Sequence, residues 1–221
     1  MSYQTVLATA ERVAQADPDN ANWQQGLSVA HNKIGDVRVA QGDQPGALAS
    51  YQAALAIAER LAKTDPGNAG WQRDLSLAQI KIGDVQIAQG DGPGARASYQ
   101  AALAIAERLA QADPRNANWQ RDLSVAQIKI GDVRVAQGDR AGALASYQAS
   151  LAVAERLAKT YPGNADWQRD LIVSFVKLSE VTGDKAYVEQ ALSVALAMRQ
   201  RGMLAPRDTW MIEDLKRRAG Q

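Results

Sequence analysis

The 221-residue chain lacks cysteine and has a single histidine. The missing cysteine excludes disulfides, thiolate nucleophiles and cysteine-held zinc or iron–sulfur centres, and one histidine cannot build a multi-histidine metal cage. An excess of either charge is also lacking. With 25 Lys and Arg against 24 Asp and Glu, the formal net charge of +1 argues against a general nucleic-acid surface. No apolar run reaches the ~18 residues that a membrane span needs. The N-terminal stretch carries Glu11, Asp17 and Asp19 and no basic leader, so no secretory signal is expected and the setting is read as cytoplasmic. Aromatic residues are scarce, at 5%. Alanine is abundant instead, at 42 of 221 residues, which favours helix over sheet.

A fixed period organises that alanine. Trp23, Trp71, Trp119 and Trp167 lie 48 residues apart, as do Gly35, Gly83 and Gly131, and Tyr3, Tyr51, Tyr99 and Tyr147. Residues 71–118 and 119–166 match at 35 of 48 positions. Self-similarity at such a spacing marks a stacked array, in which no repeat buries its apolar face alone.

Each repeat divides into two helical patterns. In the second repeat, Trp71, Leu75, Ala78, Ile82 and Val85 share one face of a first helix expected over about 69–89. Asn68 is placed to cap its start, and Gly90 to end it in the left-handed conformation. Asp91 can then cap a second helix expected over about 92–112. Its apolar face is Ala95, Tyr99, Ala102, Leu103, Ala106 and Leu109. Alanine at the crossing points lets two backbones approach closely, and Asp113-Pro114 stops the helix.

The two ends differ from the middle. Residues 3–18 repeat residues 51–66, so the sequence opens on a second helix with no first helix ahead of it. Two expectations follow: the chain is a piece of a longer array, or another subunit covers that face. The fourth repeat degenerates after Trp167-Gln168-Arg169-Asp170-Leu171, with Ser179 at the glycine position and a Gly183-Asp184 turn three residues early. Asp208 is expected to cap a final helix carrying Trp210, Met211 and Leu215. The expected layout is one solenoid domain over 1–221. It comprises an orphan second helix (1–18), repeats at 19–66, 67–114 and 115–162, a degenerate repeat at 163–203 and a capping helix at 206–219.

Ile34-Gly35, Gln41-Gly42-Asp43, Ala47-Leu48, Tyr51, Ala54-Leu55 and Asp65-Pro66 recur as Ile82-Gly83, Gln89-Gly90-Asp91, Ala95, Tyr99, Ala102-Leu103 and Asp113-Pro114. The third repeat has Ile130-Gly131, Gln137-Gly138-Asp139, Ala143-Leu144, Tyr147 and Tyr161-Pro162. In this order of residues the chain resembles the tetratricopeptide repeat (TPR) family. That family's ordinary period is shorter by about seven residues per helix, close to two turns, so the packing face is retained. The aromatic that the family often places three residues after the glycine is Arg38, Gln86 or Arg134 here. The resemblance implies an all-α, right-handed superhelical solenoid of stacked antiparallel helix pairs, about nine helices, with first helices lining the concave face. It implies a non-enzymatic scaffold for protein–protein interaction.

Opposite the packing face, each first helix carries a second stripe. It comprises Gln25, Val29, Asn32, Asp36 and Val39; then Arg73, Leu77, Ile80, Asp84 and Ile87. It continues with Arg121, Val125, Ile128, Asp132 and Val135; and then Arg169, Val173, Val176 and Glu180. One reading is packing, with the acids paired within their own helices to Lys33, Lys81 and Lys129. The other is a peptide groove with an apolar floor and negative spots, suited to a basic–apolar protein or peptide partner. The family's carboxylate clamp is not expected, because Asp36, Asp84 and Asp132 stand where it has asparagine.

The tryptophans are read as apolar plugs between repeats, His31 as structural, and Lys216-Arg217-Arg218 as compensation of a helix dipole. No GxxxxGK[ST] or HExxH motif occurs, so no catalytic, cofactor or metal site is expected. Neither a nucleic acid nor a membrane is an expected partner. The competing reading is a structural module, self-associating as a homo-oligomer through the face of the orphan helix.

Overall fold

The computed structural model describes residues 3–220, with their side chains apart from those of Tyr3, Gln4 and Arg207. The aromatic position expected at Tyr3 lies outside the described side chains. Ten α-helices and one 3-10 turn are formed among the described residues; the count expected was about nine, although the expected layout of an orphan helix, four pairs and a cap itself amounts to ten. Five fall in a compact N-terminal half, Met1–Asp113: α1 (Tyr3–Ala16), α2 (Ala21–Ala40), α3 (Gln44–Thr64), α4 (Ala69–Ala88) and α5 (Gly92–Ala112). A compact C-terminal half, Pro114–Gln221, holds α6 (Ala117–Ala136), α7 (Arg140–Thr160), α8 (Ala165–Thr182), α9 (Lys185–Gln200), the 3-10 turn (Pro206–Asp208) and α10 (Trp210–Ala219). Within each half, helices consecutive in sequence pack antiparallel as a stack of pairs.

Local chemistry sets the boundaries. Asn20, Asn68, Asn116 and Asn164 each accept a hydrogen bond from the backbone N–H of the tryptophan three residues on. Asp43, Asp91 and Asp139 accept from the N–H of Gly46, Gly94 and Gly142. These bonds satisfy donors that a helix start otherwise leaves open, each worth about 1 kcal/mol. Gly42, Gly90, Gly138 and Gly183 adopt φ of 77–80°, the left-handed turn that joins the paired helices.

Glycine allows a close approach within each of the first three pairs. A Cβ built on Gly35, Gly83 or Gly131 would lie 2.3–2.4 Å from a ring carbon of Tyr51, Tyr99 or Tyr147, respectively. The glycine is therefore a seat for the partner helix's ring. The fourth repeat is built differently. Ser179 stands at the glycine position, and Tyr187, the tyrosine of α9, stacks on Phe175 with ring centroids 6.3 Å apart. A second crossing is made by serine, with Ser28 and Ser76 donating to the carbonyls of Ala54 and Ala102 at 3.0 Å.

Three residues after each of Gly35, Gly83 and Gly131 stands a polar lock. Arg38 donates to the Gly46 carbonyl and the Ser50 hydroxyl, both at 2.8 Å. Arg134 does the same to Gly142 and Ser146. Gln86 accepts from Ser98 at 2.8 Å.

The last helix departs from expectation. The cap position of α10, expected at Asp208, is held by Thr209, which makes no side-chain cap bond; Asp208 lies in the 3-10 turn and ion-pairs with Arg169. Trp210 faces outward, and Ile212 and Leu215 are the buried residues, in a cluster with Leu171, Phe175, Leu192 and Met198.

Candidate interaction face

The stripe opposite the packing face is only partly open. Val29, Val39 and Ile87 in the N-terminal half, and Val135 and Val173 in the C-terminal half, are exposed large apolar side chains. Leu77 and Val125 are half-buried. Ile80 is buried, and its counterparts Ile128 and Val176 pack against core clusters, so this register faces inward and does not line a groove. Asn32 holds the same register in α2, with its Oδ1 buried and accepting no hydrogen bond.

The charged members of the stripe connect successive first helices. Lys81 of α4 reaches back to Asp36 of α2 at 2.7 Å, and Lys177 of α8 to Asp132 of α6 at 2.9 Å. Asp36 and Asp132 therefore take lysines from the next repeat, where pairing inside one helix, with Lys33 and Lys129, was expected. Gln25 donates to Asp74 at 2.7 Å, Arg121 ion-pairs with Asp170, and Arg169 with Asp208. Glu180 receives Arg218 at 3.1 Å, so α10 continues the ladder as a first helix would. Arg218 also pairs with Asp214 within α10, alongside Arg217–Asp214 and Lys216–Glu213. The terminal basic cluster is therefore engaged in ion pairs. Arg73 is half-buried, as is Asp84.

Sequence reading missed the tyrosine hydroxyls. Tyr51, Tyr99 and Tyr147 donate to Asp36, Asp84 and Asp132 at 2.7–2.8 Å. Burial, reinforced by the adjacent carboxylate, pushes the Tyr51 and Tyr147 hydroxyls well above their ordinary range, so they remain donors. The constant 15-residue offset from aspartate to tyrosine was the available signal.

The tryptophans do not share one environment. Trp167 is 8% exposed and lies 5.4 Å from the Arg121 guanidinium, an internal cation–π contact. Trp23 is 46% exposed. Val6 on α1 is also exposed, whereas its repeat counterpart Ala54 is fully covered.

Burial is the main cause that lowers the His31 pKa below its ordinary value; Glu11 opposes this and Arg38 adds to it. A histidine so lowered binds fewer protons folded than unfolded, so its contribution weakens stability as pH falls through the unfolded-state value of about 6.5. His31→Gln, which installs the residue of the second and third repeats, is expected to remove that loss. Urea unfolding at pH 7.5 and 5.5 should show a smaller acid-induced drop than in the parent; an equal drop would refute the assignment.

Among the described residues, no group of three or more His, Cys, Asp or Glu is placed to hold a metal ion, and no helix is long and apolar enough to cross a membrane.

No family model matches this chain, and no curated protein matches it. Its fold is similar to that of BtubC (BKLC) from P. vanneervenii, at 18% identity and a TM-score of 0.52, over 89% of each chain. TTC0263, a thermophilic TPR protein of Thermus thermophilus, aligns at 20% identity over 88% of this chain and 91% of its own, with a TM-score of 0.44. MamA aligns at 16% identity over 90% and 91%, with a TM-score of 0.45. With the likeness to BtubC one of fold, the helix pairing defines a helical-repeat protein of the all-α stacked-pair class.

Proposed function

We propose that this chain is a non-enzymatic, TPR-type interaction scaffold that holds protein partners on its surface. The observation that carries this reading is the set of uncovered apolar side chains on the first helices of each half: Val29, Val39 and Ile87 in the N-terminal half, and Val135 and Val173 in the C-terminal half. Single exposed valines need no explanation, but a repeated register of them on successive first helices provides alternate apolar footholds for an extended or helical peptide. The period running through Asp113-Pro114 supports reading 1–221 as one domain. Ion pairing of Asp36 and Asp132 with lysines makes the apolar footholds the principal source of affinity. Val29→Asp and Ile87→Asp are each expected to weaken a basic–apolar peptide captured on the N-terminal half about tenfold by isothermal titration, since a carboxylate would have to be desolvated under the partner. Unchanged affinity in both would refute the groove.

A second reading, self-association, is favoured by the half-exposed Trp23 and the exposed Val6. Sedimentation over a wide concentration range should then show a larger species that Trp23→Asp abolishes. A strictly monomeric parent would exclude it.

A further inference from the structure

A small cavity opens in the N-terminal half between α2, the start of α3 and the end of α4. It measures about 180 Å³ and is lined by Asp36, Val39, Gln44, Tyr51, Lys81, Asp84, Val85 and Ala88. Gln44 is the first residue of α3, and its Oε1 is buried without a hydrogen-bond partner. A buried acceptor left unsatisfied costs about 1–3 kcal/mol, so the Gln44 amide is short of a donor.

The C-terminal half supplies its own answer to the same geometry. The residue 96 positions after Gln44 is Arg140, the first residue of α7. Its guanidinium crosses the corresponding space and donates to the Val181 carbonyl at 2.8 Å. Val181 is the counterpart of Val85, and Asp132 and Glu180 are the counterparts of Asp36 and Asp84. In one half, then, an internal arginine spans the position. In the other half glutamine, shorter and uncharged, stands there and a cavity is present.

We propose that this cavity is a binding site for the guanidinium group of an arginine side chain presented by a peptide partner. The site rests on the reading of the first-helix face as an interaction surface, since the cavity opens beside Val39. Two features fit a guanidinium: its planar fork carries five donors, one of which the Gln44 amide can meet by turning its oxygen, and the Asp84 carboxylate lines the same wall, as does Asp36, which a guanidinium would share with Lys81. Val39, Val85 and Ala88 give an apolar surface for the arginine stem.

The test is a nuclear magnetic resonance titration of the isotope-labelled full chain with N-acetyl-arginine methylamide, with the norleucine analogue as the uncharged control. The expected result is saturable shifts of the Gln44 side-chain amide and of the Val39 and Ala88 backbone amides, at least about tenfold tighter for arginine than for norleucine. Gln44→Arg should place a guanidinium in the space as Arg140 does, and abolish the shifts without lowering the melting temperature. Gln44→Glu should tighten binding several-fold. Equal binding of the norleucine analogue, or binding that survives Gln44→Arg, would overturn the site. A synthetic peptide of alternating leucine and arginine separates this inference from the reading beneath it. If Ile87→Asp weakens the peptide while Gln44→Arg does not, the groove stands and the cavity site falls. If the arginine derivative depends on Gln44 but the peptide ignores Ile87→Asp, the cavity site stands and the groove falls.

Discussion

Gly131→Ser is expected to destabilise the protein by about 1–3 kcal/mol, because a side chain there overpacks a closed crossing. The built Cβ would lie 2.3 Å from a carbon of the Tyr147 ring, and that ring is buried between α6, α7 and α8 with Leu178 and Val181. The ring cannot withdraw cheaply, since its hydroxyl is tied to Asp132 at 2.7 Å. Tyr147→Ala alone should cost about 3–5 kcal/mol, through lost contacts and an unfilled cavity. In the double variant the serine has no ring to collide with and fills a little of the space the ring leaves. The pair should therefore cost less than the sum of the two single changes by more than about 1 kcal/mol. Urea unfolding of the four proteins gives the coupling directly. Additive effects would mean that glycine is not there to seat the ring.

Ile212→Asp should cost more than Gly131→Ser, roughly 3–5 kcal/mol, because it buries a carboxylate with no partner. Ile212 is 1% exposed and packs in the cluster that includes Phe175, Leu192, Met198 and Leu215. The helix it belongs to has only ten residues, too few to persist without tertiary packing. Loss of α10 would also free Glu180 from Arg218 and loosen the adjoining turn that presents Asp208 to Arg169. Stacked repeats contact only their neighbours, so the damage should stay local. Hydrogen exchange is expected to accelerate in α8, α9 and α10 while α2 to α5 keep their protection. Uniform acceleration along the whole chain would contradict that behaviour.

Much of the fold was legible because its boundaries are set by short-range chemistry. Asn68, Gly90 and Asp91 act within three residues of their own positions, so spacing alone located α4 and α5 to within a residue. The partners of the charged stripe were not legible in the same way. Lys81 and Asp84 sit three apart on one helix and invite pairing, yet the lysine precedes the acid, the weaker order against the helix dipole. The competing contact, Lys81 to Asp36, spans 45 residues and exists only once two first helices are side by side. The apolar stripe is only partly open for a related reason. A helical wheel separates two faces, but the inward tilt of Ile80 depends on how α4 packs on its neighbours. The Gln44 cavity left no trace in spacing. Its meaning comes from comparing position 44 with position 140 after both are seen in place.

Ser179 and the Phe175–Tyr187 stack also bear on alignment between repeats. Three consecutive repeats with nearly interchangeable contacts offer a refolding chain several ways to pair a first helix with a second helix from the wrong repeat. Such offsets lose little contact energy and would trap the chain. The fourth repeat breaks that equivalence. A second helix borrowed from an earlier repeat would bring its tyrosine against Ser179, where no seat is open. It would also leave Phe175 without Tyr187, and the earlier first helices have His31, Gln79 and Gln127 where Phe175 stands. The fourth repeat is therefore not interchangeable with the other three: its first helix offers no glycine seat, and its second helix brings Tyr187 to Phe175.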